Sequence, residues 1–452
     1  MFSRSIGRVT RAGRIRRGAR DAARRAWFEW FNMFLLIGLI IALLILFGMP
    51  LFAAFGSLAL LSFKQSGIDV SAVGVAMYTL AGSPLLIAIP LFTFAGYLFA
   101  HSRAPDRLVR LSQAFFPGGL AVVALVSCAI FTAFTGASGV TIIAMGGLLL
   151  PALLKEGYSQ KFSLGLLTTS GSLGLLFPPS LPMIVYGYVG GVSVDKLFLA
   201  GLLPGTLLVI VLSLYAVRTG RKQGIQREKM SRARIAAALK GAAWEVPLPF
   251  IILGGIYGGL ITVMEAAAIT ALYAFIVEVL IYRDVPFRKL PTVIAESMTL
   301  VGGILIILSC AMALTNYLID AEVPLKILDW MKNYITSKYT FLLILNAFLL
   351  VAGCLMEIFS ALIVVPPLIV PVALGFGVDP VHLGIIFLTN LEIAFLTPPL
   401  GLNLFISSYR FNHSVLKISG AVIPFLLLLL AALMLITYAP ALSLFLVRVF
   451  QG

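Results

Sequence analysis

Charge is scarce in this chain. Asp, Glu, Lys and Arg make up only 11% of its 452 residues, hydrophobic residues make up 60%, and the mean hydropathy is +1.06. That composition excludes a water-soluble globular domain. Cysteine and histidine are rarer still, at three each. Cys128, Cys310 and Cys354 lie in apolar surroundings without CxxC spacing, and His101, His382 and His413 are equally dispersed. A zinc centre or a disulfide framework therefore has no ligand pattern to rest on. HExxH, GxxxxGK[ST] and a paired intramembrane Asp motif are absent, which argues against an intramembrane enzyme. Long strands that alternate polar and apolar residues are also missing, which excludes an outer-membrane barrel.

What is present is apolar sequence in long runs. Phe34–Phe63, Leu85–Ala100, Leu207–Val217, Leu300–Leu318, Phe341–Val351 and Val422–Tyr438 are among the densest. In lipid the backbone must satisfy its own hydrogen bonds, so these runs predict helices and a polytopic all-α membrane protein. The net charge of +15 is concentrated in two places: nine Arg and one Asp in residues 1–25, and eight Lys/Arg and one Glu in residues 218–240. Beside membrane spans, both segments read as cytoplasmic by the positive-inside rule rather than as nucleic-acid contacts. No cleavage-like stretch separates the first arginines from Trp27, so the N-terminus reads as a basic segment and not as a targeting leader. Phe34–Phe63 is interrupted at Gly48-Met49-Pro50; one kinked span there keeps the arginines inside.

One stretch occurs twice, 220 residues apart. Leu148–Pro179 (LLLPALLKEGYSQKFSLGLLTTSGSLGLLFPP) and Leu368–Pro399 (LIVPVALGFGVDPVHLGIIFLTNLEIAFLTPP) align without a gap. They share Pro151/Pro371, Gly157/Gly377, Thr169/Thr389, Pro178/Pro398 and Pro179/Pro399 among other positions. Each carries a polar pair followed by a Pro-Pro break inside membrane-grade sequence. Walking from the basic loop, with Val246–Thr262 as the first outward crossing of the second half, places the two copies across the membrane in opposite directions, an inverted repeat. The expected organisation is a basic segment 1–33, a first repeat 34–217, a basic linker 218–245 and a second repeat 246–452. Before each broken span lies a stretch with a polar or small-residue centre: 118–155 around Thr135–Gly139, and 341–377 around Gly353–Ser360. Both ends of the first stretch are flanked by basic residues, which predicts a re-entrant hairpin, with 341–377 as its counterpart.

Broken helices expose carbonyl and hydroxyl oxygens, which suit a hard cation, and half-helix N-termini, which suit an anion. One such arrangement serves a sodium ion and a carboxylate together. The first candidate site joins the Thr135–Gly139 tip, with Gly136 and Ser138, to Thr169, Ser170, Gly171 and Ser172. The second joins Glu357 and Ser360 to Thr389, Asn390 and Thr397. For any single hydroxyl the competing explanation is a local bond to a carbonyl four residues back. Candidate carboxylate contacts are Ser138, Pro179, Ser180, Pro399, Asn403 and Arg410, although Arg410 also suits an inside-facing anchor. Intramembrane acids are costly, so Glu357 is a candidate for ion coupling or for bracing the tip. Glu265 stands three residues after Thr262, a capping-box spacing. Glu392 replaces Ser172 across the repeat.

These residues resemble the large membrane subunit of tripartite ATP-independent periplasmic (TRAP) transporters, the DctM type. The resemblance runs from about Phe34 onward. It is carried by PLLIAIPLFTFAG at Pro84–Gly96, PGGL at Pro117–Leu120, FPPSLPMIVYG at Phe177–Gly187, LFLAGLLPG at Leu197–Gly205, GGIYGGLITVMEA at Gly254–Ala266 and LTPPLGLNLF at Leu396–Phe405. It implies an inverted-repeat, elevator-type secondary transporter with two re-entrant hairpins and two broken helices. It implies sodium as the coupling ion, no other cofactor, and uptake of an organic acid across the bacterial inner membrane. The implied partners are a small four-helix membrane subunit, a periplasmic substrate-binding protein and membrane lipid. By motif, Ser138 and Thr169–Ser172 fall on the first sodium region; Gly353, Glu357, Thr389, Asn390, Thr397 and Pro398 fall on the second. A stand-alone ion-coupled anion carrier of the related dicarboxylate superfamily is the alternative, with an intramembrane enzyme or a channel further behind.

Overall fold

A computed structural model describes residues 44, 49–115, 119–225, 231–398 and 401–451. The basic segment 1–33, residues 34–43 and 45–48 of the expected Phe34–Phe63 span, Pro117 and Gly118 of the PGGL run and the candidate contact Pro399 lie outside the described residues. Among the described residues every regular element is helical.

The described chain opens with α1 (Leu51–Gln65), α2 (Ser71–Ala81), α3 (Ala88–His101) and the amphipathic α4 (Ala104–Phe115). A helical hairpin follows: α5 (Leu120–Thr135) and α6 (Ser138–Lys155), joined by Gly136-Ala137. Gly136 has φ +64°, and a Cβ there would come within 2.8 Å of Leu181, so the turn requires glycine twice over. Next comes a span in pieces: α7 (Gln160–Ser170), a 3-10 turn at Leu173–Leu176 and α8 (Leu181–Gly190), bent by 47° at the Pro-Pro break. Pro lacks the N–H that would carry the helix through. α9 (Val194–Lys222) runs to the basic linker, which holds α10 (Arg232–Gly241).

The second half begins with α11 (Pro247–Tyr257) and α12 (Val263–Phe275), the latter continuing into a π-helical turn at Ile276–Ile281. The crossing expected over Val246–Thr262 is shorter than the sequence suggests. α11 has 11 residues, about 16 Å of rise against a hydrocarbon core of ~30 Å. Gly258-Gly259 ends it, with Gly259 at φ +68°. Then come the long α13 (Leu290–Asp320), the amphipathic α14 (Val323–Lys332), and a second hairpin of α15 (Lys338–Leu355) and α16 (Ile358–Gly375). A second broken span follows as α17 (Pro380–Ala394) and α18 (Leu402–Phe411), then α19 (Val415–Tyr438) and α20 (Pro440–Gln451). Shifted by the 220 residues of the sequence repeat, α6 lands on α16, and α7 begins where α17 begins. Eight helical segments among the described residues are long and apolar enough to cross a membrane, and the α7–α8 pair adds a ninth.

These helices gather around two centres, which meet where α13 lies on α16 and α3 lies on α5. α3 lies against α12 and α13, and α1 and α2 join α13 through a cluster of Ala59, Phe63, Val73, Ala313 and Tyr317. Around the other centre the halves exchange partners: α6 packs on α18, and α16 packs on α8. Each hairpin's second arm thus rests on the broken span of the opposite half.

Beside α4 a charge cluster ties α4 to α12 and to the segments flanking it. Arg107 donates to Asp284 at 2.6 Å, to Glu278 at 2.9 Å and to Glu245, while the Tyr282 ring lies 4.0 Å from its guanidinium carbon. Burial works against the Arg107 charge, but Glu278, Asp284 and Glu245 outweigh it and raise its pKa. Burial pushes the Glu245 carboxyl up, against the pull of Arg107. It pushes the Tyr282 phenol up to about 12, with Glu245 adding to the rise.

Candidate functional site

The first tip is an oxygen-rich pocket of side chains and backbone. Thr132, near the end of α5, places its hydroxyl 2.7 Å from the Thr141 hydroxyl of α6, 2.7 Å from the Cys128 carbonyl and 2.9 Å from the Gly171 carbonyl. Thr135 lies 3.5 Å from Thr141. Hydroxyls supply one proton each, so Thr132 cannot serve both carbonyls, and the cluster has more acceptors than protons. Gly171 permits this approach, because a Cβ there would stand 2.5 Å from Ile142 Cγ1 and 3.2 Å from the Ser138 carbonyl of α6. The tip of the first hairpin and the end of α7 therefore meet, as the spacing of Gly136, Ser138 and Thr169–Ser172 suggested. Thr132 and Thr141 were not singled out from sequence. Their signal was a hydroxyl one turn away from the tip on each arm.

Contacts across the halves come next. Ser138 donates to Asn403 Oδ1 at 2.8 Å, both residues being buried, and Thr168 donates to Ser407 at 2.9 Å. Asn403 keeps its amide N–H group without a protein partner. Ala137, the residue before α6, offers no side-chain cap, so the first N–H groups of α6 stay open toward the tip. Ser180, the N-cap of α8, is fully buried with an unpartnered hydroxyl directly after Pro179. Arg410 turns elsewhere. It donates to the Ile143 carbonyl at 2.9 Å and lies over Gly147 of α6.

The second tip is closed by different chemistry. Glu357 is the N-cap of α16 and accepts from the backbone N–H of Phe359 at 2.9 Å and of Ser360 at 3.3 Å. That carboxylate does for α16 what no side chain does for α6. Gly353 lets α15 close onto α17, since a Cβ there would stand 2.6 Å from the Ala394 Cβ. Asn390 donates to Asn346 at 2.7 Å and to the Ile386 carbonyl at 2.8 Å, and Asn346 donates to Thr437 at 3.0 Å. This chain links α17, α15 and α19, and Asn346 was not among the residues picked from sequence.

Several hydroxyls take the local option. Thr389 bonds the Ile385 carbonyl at 2.7 Å, Thr397 the Ile393 carbonyl at 3.0 Å, Ser170 the Leu167 carbonyl at 3.2 Å and Ser172 the Thr169 carbonyl at 3.4 Å. Pro398 follows Thr397 at the edge of the described segment. Others stay open: Thr169 Oγ1, Ser360 Oγ and Asn390 Oδ1 are buried without a protein partner. Glu392 is fully buried with both carboxyl oxygens unpartnered. Glu265 forms a complete capping box with Thr262 and belongs to helix termination, not to the site.

Comparison with known proteins now has a geometry to meet. Residues 36–442 match the family described as tripartite ATP-independent periplasmic transporter, DctM component. The C4-dicarboxylate TRAP transporter large permease protein DctM of Rhodobacter capsulatus is 35% identical over 429 residues, 91% of this chain and 97% of that protein. The isethionate TRAP transporter permease protein DctMQ of Oleidesulfovibrio alaskensis is 34% identical over 89% of this chain, which covers 65% of that longer protein. The YdaH transporter of Alcanivorax borkumensis superposes with a TM-score of 0.60 at 12% identity, covering 82% of this chain and 87% of that one, and so shares the fold. With a family match over residues 36–442 and a relative 35% identical over 91% of its length, the chain belongs to the DctM family of TRAP transporter large permeases and is a multi-pass membrane transport protein, not an enzyme.

Proposed function

We propose that this permease couples sodium entry to import of a carboxylate anion across a bacterial inner membrane. In this reading a soluble periplasmic protein delivers the substrate and a small four-helix membrane subunit sits alongside. The hairpins and broken spans move as one block against α3, α12 and α13, carrying substrate in elevator fashion. The observation that carries the reading is a pattern of incompletion. Eight buried side-chain polar atoms lack a protein partner among the described residues, and all but Ser62 Oγ belong to the hairpins and broken spans. Leaving such a group unpaired costs about 1–3 kcal/mol, so a fold retains them where a ligand supplies the partner.

The open atoms also divide by chemistry. Thr169, Ser360 and Asn390 offer oxygen, which suits sodium; Asn403 offers N–H beside the uncapped start of α6, which suits a carboxylate. The two relatives described above are named for anions, a C4-dicarboxylate and isethionate, which fits an anion-binding tip. The test is the melting temperature of the purified chain in sodium, potassium and choline chloride at constant ionic strength. A ligand that binds only the folded state at 100 times its Kd stabilises by about 2.7 kcal/mol. A saturable rise in sodium alone is expected; identical curves in the three salts would remove sodium from the mechanism.

A further inference from the structure

A cavity of about 600 Å³ opens sideways between α5, α9 and α11. Its walls are almost wholly hydrocarbon, including Val126 and Ile130 of α5, Val209 and Leu214 of α9, and Leu253 of α11. The inner end stops at Phe134, Phe177 and Pro178, next to the first tip and the first break. The other end lies at Val122, Val217 and Pro249, which are the start of α5, the last turns of α9 and the start of α11. That end faces the cytoplasm, because α9 runs directly into the basic linker. Along α9, Leu202 to Val217 spans about 22 Å at 1.5 Å per residue. α11 packs mainly on α12, so the groove separates α11 from the α5–α9 face.

Charge defines what fits. The lining residues Leu202, Thr206, Val209, Ser213 and Val217 recur every three or four positions; one turn beyond Val217 lies Arg221, and one turn beyond Leu214, also in the lining, lies Arg218. Neither arginine takes part in any of the ion pairs among the described residues. A hydrocarbon slot with two uncommitted guanidiniums at its cytoplasmic mouth is complementary to an acyl chain that carries a phosphate group. We propose that this groove binds one anionic phospholipid of the cytoplasmic leaflet, its acyl chain between α5, α9 and α11 and its phosphate at Arg218 and Arg221. The site lies on the same molecule as the proposed sodium sites but does not depend on them.

The full-length chain in detergent is titrated with phosphatidylglycerol or with phosphatidylcholine of the same acyl chains, without sodium or substrate. Binding is read by melting temperature and by native mass spectrometry. Phosphatidylglycerol is expected to raise the melting temperature saturably and to leave one retained lipid per chain. Each arginine near the surface contributes about fivefold in affinity, so the double variant Arg218→Gln/Arg221→Gln should bind phosphatidylglycerol ~25-fold more weakly and phosphatidylcholine as before. Thr206→Trp, which fills the groove, should remove the retained lipid. Equal shifts from the two lipids in the unmodified chain, or an undiminished preference in the double arginine variant, would overturn the assignment. So would a polypeptide adduct, in place of a phospholipid adduct, at a photoreactive benzoylphenylalanine replacing Leu214 in native membranes. A failed sodium test leaves this result standing, and the reverse holds equally.

Discussion

Two polar regions of this molecule are finished to different degrees. Around Arg107 each guanidinium nitrogen has a carboxylate partner, and Tyr282 covers the group with its ring. Around the hairpin tips Thr169, Ser180, Ser360, Asn390 and Asn403 are as deeply buried, yet each keeps an atom open. Burial alone does not separate the two regions; satisfaction does. A closed network holds helices in one arrangement. An open one costs stability at every unpaired group, and the cost is offset only when a ligand arrives.

The largest effect should come from breaking the closed region. Arg107→Ala would leave three carboxylates facing one another, two of them nearly without exposure, and should cost about 3–5 kcal/mol of stability. Arg107→Lys should recover only part, because an ammonium cannot fork between three partners. The decisive readout is sodium-dependent stabilisation in the lysine variant, which should survive if the two regions are separate. The same cluster predicts a pH response. Folded Glu245 holds its proton more tightly than the unfolded chain does, since burial raises its pKa above the ordinary carboxylate value of 4.5. That contribution is complete below the unfolded value and is lost as pH rises through the folded one. Glu245→Gln should therefore flatten the decline in melting temperature above pH 4.5, while costing less than Arg107→Ala.

The open region offers a finer contrast between its two tips. Ser138 reaches into the other half, whereas Glu357 closes its own helix. Ser138→Ala should cost about 1 kcal/mol of stability but weaken ligand-dependent stabilisation by about tenfold, a larger fractional loss than any change in the Arg107 cluster produces. Glu357→Asn tests the second tip, because Asn is among the best N-caps and carries no charge. Melting unchanged in both the presence and the absence of sodium would make Glu357 a brace; a lost sodium response with normal melting would make it a ligand.

Much of this was legible in the chain. The 220-residue repeat marked both breaks and the polar or small-residue centres before them marked the hairpins, because such local signals stand out against apolar sequence; proline alone is no such signal, since Pro366-Pro367 sits inside α16. The Thr262-Glu265 capping box was readable for the same reason: its chemistry is local. What stayed hidden was long-range. Nothing in the spacing says that Ser138 would meet Asn403, 265 residues away, or that Asn346 would join Asn390 to Thr437. Those pairs depend on how the hairpins exchange partners between halves. Arg107 was equally opaque, since its three acids come from two segments, Glu245 and the Glu278–Asp284 stretch, both more than 130 residues away. The length of α11 was misjudged because a Gly-Gly turn inside an apolar run leaves hydropathy unchanged while ending the helix.

The smallest expected effect serves as the control on the whole division. Thr262 accepts from the Glu265 N–H at 3.2 Å, and the Thr262 N–H donates to the Glu265 carboxylate at 2.8 Å. Thr262→Ala removes one half of this reciprocal pair and should cost about 1 kcal/mol, with Thr262→Ser restoring it. The box is exposed and shares no partner with Arg107 or with either tip. Its loss should therefore lower the melting temperature by the same amount in sodium, potassium and choline. A sodium-selective change from so remote a cap would mean that any loss of stability weakens ion binding. The contrast between a closed brace and an open site would then rest on general stability and not on which atoms lack partners.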